Sequence, residues 1–372
     1  MGEAGIEITS VDLSYMKRAI KLAKKGIACT HPNPRVGAVV VNHGKVVGEG
    51  WHHKAGEAHA EVNALLDAGE QAMGGSIYVT LEPCAGHGRT PPCTDAILKA
   101  GIKRVVFASA DPNPDMAGGS QLLEAQKLEV LGGVLADEAD ALNVAFFHYV
   151  KTGMPYVIAK AAISLDGKLA TRNHDSQWIT GAKSRRHAHQ VRAISDAIVV
   201  GSGTLKDDNP SLTVRDIRLK GEHPLRVVIA KQTPAFFSEC KLLNDEARSR
   251  MYVYTSNSQT ALWQKAGMDV VQVCDLQAAL KHLAKDGCLQ VMLEGGGQLH
   301  AAFLEHQYAN ELLLYQAPLL IGGTQAVNFW HGLGVSHMND VVRLQDIQRR
   351  KLGDDMMIRG KLCYPREALS TV

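Results

Sequence analysis

Residues 82–97 read EPCAGHGRTPPCTDAI, and upstream of them residues 59–61 read HAE. His59, Cys84 and Cys93 offer one imidazole and two thiols. Three such ligands leave the fourth position of a tetrahedral zinc open, which is how catalytic zinc is held, whereas a structural zinc takes four. Cys93 follows Pro91 and Pro92 and precedes TDAILKA, so it is expected at a helix N-terminus, where the positive end of the dipole favours thiolate over thiol. His59 and Glu61 flank Ala60. In mid-helix their side chains would diverge by about 200°. At a helix start the histidine can hold metal while the glutamate reaches the water beside it. A carboxylate so placed, not itself a ligand, carries protons between the attacking water and a departing amine. The stretch thus predicts one zinc per chain, held by His59, Cys84 and Cys93, with Glu61 as the catalytic carboxylate. An isolated cysteine is more often a small buried hydrophobe; the weight comes from four positions in order, with PNP at residues 32–34 ahead of them.

Outward from this stretch the pattern is α/β. Leu13, Met16, Ala19, Ile20 and Ala23 recur at helical spacing, which predicts an amphipathic helix over residues 11–28. VGAVVVNHGKVVGEGW (residues 36–51) has two β-rich runs about Asn42 and Gly44 and reads as a hairpin. SIYVTLEPC is a strand ending in Cys84, TDAILKAG a helix stopped by Gly101, and KRVVFASA the next strand. Such alternation implies a layered α/β domain. Gly153 and Pro155 break NVAFFHYVKTGMPYV, so the domain boundary is placed within residues 147–155, giving domains 1–150 and 151–372. The second half restarts the alternation with YVIAKAAISLDGK, DAIVVGSGT, PLRVVIA, RMYVYTS, LQVMLEGGG and ANELLLYQAPLLIGG. The halves share no motif, so two different sites are expected.

Composition narrows the function classes. With 372 residues, 45% hydrophobic and 21% charged, the chain has ample core-forming material. A net charge of +2 and 5% aromatics advertise neither a nucleic-acid nor an anionic-membrane surface, so small-molecule substrates are expected. Seven cysteines in so long a chain argue against a disulfide framework and for a reducing compartment; Cys29, Cys240, Cys274, Cys288 and Cys363 are read as structural thiols. The first residues carry acidic groups where a signal peptide would be basic, and the chain is expected to be cytoplasmic. His31, His43, His52, His53 and His87 are read as surface or loop histidines.

In the second half, KAAISLDGKLATRNHDSQWITG, VVGSGTLKDDNPSLTVR and VMLEGGGQLHAAFL stand out. Glycines in the last two let backbone amides approach a phosphate at a helix start. Neither is a Rossmann fingerprint, because GSGTLK has Lys206 where the third glycine belongs. Arg192 and Arg215 are suited to bidentate phosphate binding, and Trp178 to covering a flat ring.

The first half resembles the cytidine-deaminase-like zinc family, whose signature is HxE followed by PCxxC. Here eight residues separate the cysteines, and that longer loop, with THPNPRVGAVVV, resembles the deaminase half of the bifunctional riboflavin-biosynthesis deaminase/reductases. That subgroup usually has a histidine where this chain has Gly86. SLDGK, SQWIT, DDNPSLTVR, EGGG and APLLIGG resemble the reductase half in order, so the resemblance runs from about residue 12 to about residue 360. It implies a cytidine-deaminase-like three-layer domain followed by a dihydrofolate-reductase-like domain that uses NADPH. Position by position it implies that Ala162, Trp178, Thr204, Asp208, Gly295, Gly296, Gly297 and Gln298 touch NADPH, and that Ser176, Arg192, Leu212, Arg215 and Glu294 touch substrate. Asn33, Lys160 and Asp166 are further candidates. The implied activities are hydrolytic deamination of 2,5-diamino-6-(5-phosphoribosylamino)pyrimidin-4-one and reduction of the product's ribosyl group to ribityl. Small phosphoribosylated pyrimidines are the expected partners, with no nucleic acid and no membrane, and a homo-oligomer is expected. Two rivals are an RNA or nucleotide deaminase with an accessory domain, which would show a basic aromatic patch, and a non-catalytic zinc-stabilised binding protein, which would close its metal with a fourth ligand.

Overall fold

The computed structural model describes residues 7–88, 91–219, 221–245 and 247–365. The chain divides into two compact units, Met1–Gly153 and Met154–Val372. Residue 150 lies inside the helix Val144–Thr152, which ends on Gly153 at φ 68°. A cut at 150/151 would sever that helix. The break falls where glycine supplies the left-handed turn that stops it.

The first unit is built on a five-stranded sheet of β1 (Gly37–Asn42), β2 (Lys45–Trp51), β3 (Ser76–Leu81), β4 (Arg104–Ser109) and β5 (Glu129–Leu131), in the order β2-β1-β3-β4-β5. β1 is antiparallel to β2 and β3, and β3, β4 and β5 are parallel. Successive side chains of a strand face opposite ways, and here they fill two separate cores. Ala38, Val40, Ile77, Val79 and Val105 pack with Ala60, Ala64 and Leu65; Val39, Val41, Tyr78 and Val106 pack with Met16, Ala19 and Ile20. The helices Ala60–Ala68 and Ser10–Ala23 therefore cover the two faces, giving three layers.

The helix Ala60–Ala68 approaches β2 at backbone distance. A Cβ at Gly48 would fall 2.3 Å from the carbonyl oxygen of Ala64, and one at Gly50 would fall 2.4 Å from that of Ala60. Small residues on both sides, Gly48 and Gly50 against Ala60, Ala64 and Ala68, fix how deep the helix start sits. On the other face, Asp12 is buried and accepts from Arg104 at 2.6 Å and the Tyr78 hydroxyl at 2.9 Å.

The second unit adds β6 (Tyr156–Ile163), β7 (Lys168–Ala170), β8 (Ala197–Gly201), β9 (Leu225–Gln232), β10 (Ser249–Thr255), β11 (Asp269–Gln272), β12 (Gln290–Leu293), β13 (Glu311–Gln316), β14 (Val327–Asn328), β15 (Arg343–Leu352) and β16 (Asp355–Cys363). Nine of them form one sheet, β11-β10-β9-β8-β12-β6-β13-β16-β15. It is parallel from β11 through β13 and closes with an antiparallel hairpin, β16 and β15. β12 returns between β8 and β6, so the strand order reverses there. Open α/β sheets take their ligands at such a point, beyond the carboxyl ends of the strands. Among the described residues no helix is long and apolar enough to cross a membrane.

Candidate functional site

In the first unit, His59 is the N-cap of the helix Ala60–Ala68, with extended backbone at φ −72° and ψ 165°, and Glu61 stands in its first turn. Cys84 follows β3, and Cys93 opens the helix Cys93–Lys99. The strand end and two helix starts bring His59, Cys84 and Cys93 together, their ligand atoms all within 4.8 Å of one another. His59 Nδ1 lies 3.2 Å from Cys93 Sγ and 3.7 Å from Cys84 Sγ, and the Cys93 backbone N–H donates to Cys84 Sγ at 3.3 Å. The Cys84 thiol is pulled below its ordinary range by hydrogen bonding from Cys93 and His59, while Cys93 is held above it. Among the described residues no further His, Cys, Asp or Glu joins the cluster. This donor set fits zinc with one coordination position left over, as a closed structural site would not.

Glu61 is buried at 4% exposure and is paired with no lysine or arginine among the described residues. Burial pushes its carboxyl up to about 7, with His59 opposing and Cys84 adding to the shift. A carboxyl in that state can both take and give a proton near neutrality.

Around this centre the structure adds residues the sequence did not single out. His52, read as a loop histidine, is 2% exposed. Its ring meets His59 edge-on at 5.6 Å, and it bonds to Asn33 Nδ2 at 3.1 Å and the Ala58 carbonyl at 3.1 Å. Asn33 thus reaches the site through His52. Glu82, also buried, accepts from the backbone N–H of Asp111 at 3.2 Å and from Ser120 N–H at 2.9 Å, tying residues 111–120 to the ligand strand. Asp111 itself is pushed up to about 6 by burial. Gly86 explains its own departure from the usual histidine, since a Cβ there would fall 2.0 Å from the Asp115 carbonyl oxygen. His87 is exposed beside it, and Arg89 and Thr90 of this loop lie outside the described residues.

In the second unit, a cavity of 1410 Å³ opens at the strand-order reversal. It is lined by Ala162, Trp178, Thr204, Asp208, Gly295, Gly296, Gly297 and Gln298, and also by Lys160, Ser176, Arg192, Leu212, Arg215 and Glu294. Two glycine turns meet here: a Cβ at Gly296 would lie 3.7 Å from Thr204 Oγ1, and one at Gly297 would fall 2.1 Å from the Asn328 carbonyl oxygen. Gly297 is thus required by the close approach of the chain's own residue 328, while Gly296 leaves its side of the turn open towards Thr204 in the cavity wall. Trp178 is 66% exposed and carries the Arg185 guanidinium 4.6 Å over its ring.

Arg192 differs from its reading as a phosphate fork. Nε donates to Glu294 Oε1 at 2.9 Å, Nη2 to Oε2 at 3.0 Å, and Nη1 to the Thr213 carbonyl at 2.7 Å. Lys160 Nζ reaches the same carboxylate at 3.3 Å. Burial alone would raise Glu294, but Arg192 and then Lys160 outweigh it and hold the carboxyl down to about 2. Arg215 remains exposed, its Nη1 donating to Ser211 Oγ at 2.6 Å and its backbone N–H to His189 Nδ1 at 3.2 Å. Asp166 does not line this cavity. Its carboxylate accepts from Ser164 Oγ at 2.6 Å and from the backbone N–H groups of Ile321 and Gly322 at 3.1 and 2.7 Å, which staples two loops.

Comparison with known proteins agrees with both halves. Residues 9–109 match the cytidine and deoxycytidylate deaminase zinc-binding region, and residues 155–358 match the RibD C-terminal domain. The riboflavin biosynthesis protein RibD of Actinobacillus pleuropneumoniae is 41% identical over 363 residues, covering 94% of this chain and 95% of that one. The protein of the same name from Bacillus amyloliquefaciens is 42% identical over 353 residues, covering 92% and 94%. Acinetobacter baumannii RibD superposes with a TM-score of 0.87 at 37% identity, covering 95% of this chain and 99% of that one. A Thermotoga maritima diaminohydroxyphosphoribosylaminopyrimidine deaminase/5-amino-6-(5-phosphoribosylamino)uracil reductase does so at 0.83 and 33%, with the same coverage. An open three-ligand centre fitted for zinc in one unit and a glycine-lined cavity in the other, with relatives of about 40% identity over more than 90% of the chain, place this chain in the RibD family of bifunctional riboflavin-biosynthesis deaminase/reductases.

Proposed function

We propose that Glu61 is the proton carrier of the deamination and that the second-unit cavity binds NADPH against the product of the first reaction. The substrate is 2,5-diamino-6-(5-phosphoribosylamino)pyrimidin-4-one, whose ring carbon exchanges its 2-amino group for the oxygen of water. Zinc on His59, Cys84 and Cys93 would supply Lewis-acid activation of that water. Glu61 takes a proton from the attacking water and returns it to the leaving nitrogen, so ammonia departs neutral. Asn33, held in place by His52, is suited to orient the ring. The single observation that carries this reading is the buried Glu61 beside three, not four, ligands.

In the cavity, NADPH would supply the hydride that converts ribosyl to ribityl. Trp178 covers the flat nicotinamide, the Gly295–Gln298 turn lets the cofactor's phosphates approach, and Glu294 fixes Arg192 and Lys160 against the substrate. The two units act as separate enzymes, and fragments cut at residue 153 each keep one activity. We place the protein in the cytoplasm because none of the seven cysteines is paired in a disulfide. A homo-oligomer is expected too, since β15 ends the nine-stranded sheet with an exposed edge. Light scattering of the purified chain tests that state.

Glu61→Gln decides the deaminase reading. Zinc by elemental analysis should stay stoichiometric while ammonia release falls by ~10²-fold or more, the usual contribution of a positioned proton carrier. Full activity in this variant removes Glu61 from the role. Cys84→Ser and Cys93→Ser should lose metal and activity together.

A further inference from the structure

The chain that follows the helix Ser202–Asp208 lines the cavity with Asn209, Pro210, Ser211, Leu212 and Arg215. It is bent against ordinary preference. Leu212, buried at 4% exposure, sits at φ 52°, in the left-handed region that a bulky side chain rarely enters. Such a conformation persists only where the surroundings over-determine it. Three side chains from other elements do so here. Arg226 of β9 donates from Nη1 to the Ser211 carbonyl at 3.2 Å, and Arg192 from Nη1 to the Thr213 carbonyl at 2.7 Å. His189, on the helix Ala182–Arg192, accepts the backbone N–H of Arg215 on Nδ1 at 3.2 Å.

The last of these bonds fixes the state of the imidazole. A backbone N–H can only donate, so Nδ1 presents its lone pair and the ring proton is on Nε2. Burial, then Arg192 and Arg215, hold the ring down to about 4, so it is neutral in this form near pH 7. His189 is 9% exposed and lines the cavity, and its Nε2 has no partner among the described residues. Nor is that atom sealed in, since the buried side-chain nitrogens and oxygens without a partner among the described residues are Ser109 Oγ and Arg226 Nε. An N–H donor therefore stands in the cavity wall without an acceptor, and such a group is ordinarily satisfied. Its surroundings select the acceptor. Arg192 is neutralised by Glu294, whereas Arg215 is exposed and in no ion pair among the described residues, so the uncompensated charge beside His189 is positive. A phosphate monoester presents three acceptor oxygens, one more than a guanidinium fork takes. Resting on the reading that this cavity holds the ribosyl 5-phosphate made by the first reaction, we propose that His189 is a substrate-binding residue whose Nε2–H donates to that phosphate while its Nδ1 holds Arg215 in place for the same group.

The test is steady-state kinetics of the full-length protein with the 5-phosphorylated pyrimidine and with its dephosphorylated counterpart. His189→Leu keeps an apolar side chain in the wall and removes both nitrogens. KM for the phosphorylated substrate should rise about 10- to 100-fold, the range a hydrogen bond to a charged group gives. KM for the dephosphorylated substrate and the NADPH Kd should stay at the parent values. His189→Gln, whose amide offers one acceptor and one donor group, should recover most of the loss; a role in packing alone would not separate the two substrates. Should His189→Leu fold poorly, nitrogen NMR of the histidine-labelled parent protein answers instead. The His189 ring, assigned by its disappearance in His189→Gln, should show the Nε2–H tautomer, and its Nε2 signal should move on adding ribose 5-phosphate but not ribose. Equal KM rises for both substrates, a ring protonated on Nδ1, or an Nε2 signal indifferent to ribose 5-phosphate would overturn the assignment. A parent protein whose KM ignores the phosphate sinks the reading of the cavity itself, an outcome distinct from a His189 without effect.

Discussion

Two buried glutamates, one in each unit, have opposite electrostatic fates. Burial raises both, but among the described residues Glu61 has no lysine or arginine beside it and is pushed up to about 7. Glu294 is gripped by Arg192 and Lys160 and held down to about 2. Depth is the same kind of cost in both places; the neighbouring cations decide its sign. The first arrangement suits a group that must exchange a proton during turnover. The second suits a permanent anion, whose work is to hold two cations at fixed positions in a cavity. The comparison predicts that one and the same substitution, Glu to Gln, has opposite consequences.

Glu294→Gln should give the larger effect. It leaves the charges of Arg192 and Lys160 without their counter-ion, and breaking a buried pair from one side costs about 3–5 kcal/mol. Calorimetry should show the reductase transition falling in temperature while the deaminase transition stays, and ribosyl reduction should be lost. Glu61→Gln relieves a buried carboxyl of its desolvation, so the metal-free first unit should be as stable or slightly more stable. Equal destabilisation by both substitutions would break the contrast.

Next in size is a pH effect carried in the reductase unit by two buried histidines. His300, fully buried between the carbonyls of Gly296 and Lys160, is held down to about 4 by burial, and His189 to about 4 by burial and then by Arg192 and Arg215. Their ordinary value is 6.5. Between 6.5 and 4 the unfolded chain binds protons that the folded one does not, so stability is full above that window and falls as pH falls through it. His300 alone carries a loss of about 3 kcal/mol at 1.36 kcal/mol per unit. The reductase transition followed from pH 7 to pH 4 should decline, and His300→Gln should flatten the decline. A transition independent of pH in the parent protein would show that these rings are protonated when folded.

The two sites were not equally legible in the sequence. His59, Glu61, Cys84 and Cys93 lie in two short stretches at element ends, where local rules of helix starts and ligand count apply directly. The cavity draws on residues from Lys160 to His331 that no local rule brings together, so side-chain chemistry singled out Trp178, Arg192 and Arg215 and the rest of the set came from the resemblance. Two β-rich runs about Asn42 and Gly44 did reveal the hairpin of β1 and β2, whose first strand is apolar throughout because both its faces are covered. It did not reveal β15 and β16, because RLQDIQRRKL is exposed at almost every position and so carries no inside and outside. His52 was missed because a lone histidine carries no mark of burial; its partners, Asn33 and the Ala58 carbonyl, come from separate segments. The partnership of Arg192 with Glu294 spans a sequence separation of 102 residues, which spacing cannot express.

The smallest predicted effect separates the two arginines that look alike in sequence. Arg192 has spent its fork on Glu294 and its remaining Nη1 on Thr213, so it cannot also chelate a phosphate without surrendering those bonds. Among the described residues Arg215 holds only the Ser211 hydroxyl with its side chain, and it is exposed in the cavity rim. A guanidinium fork binds two phosphate oxygens where an ammonium binds as a point charge. Arg215→Lys should therefore raise the reductase KM for its 5-phosphorylated substrate about 5-fold, roughly 1 kcal/mol, with kcat and the NADPH Kd near normal. Arg192→Lys should act differently, lowering stability and kcat together, because Glu294 loses one arm of its pairing. Steady-state kinetics of both variants, with NADPH affinity measured separately, checks the pair. If Arg192→Lys raises substrate KM alone and Arg215→Lys is silent, Arg192 gives up Glu294 when substrate arrives, and the fixed-anion role drawn for Glu294 has to be abandoned.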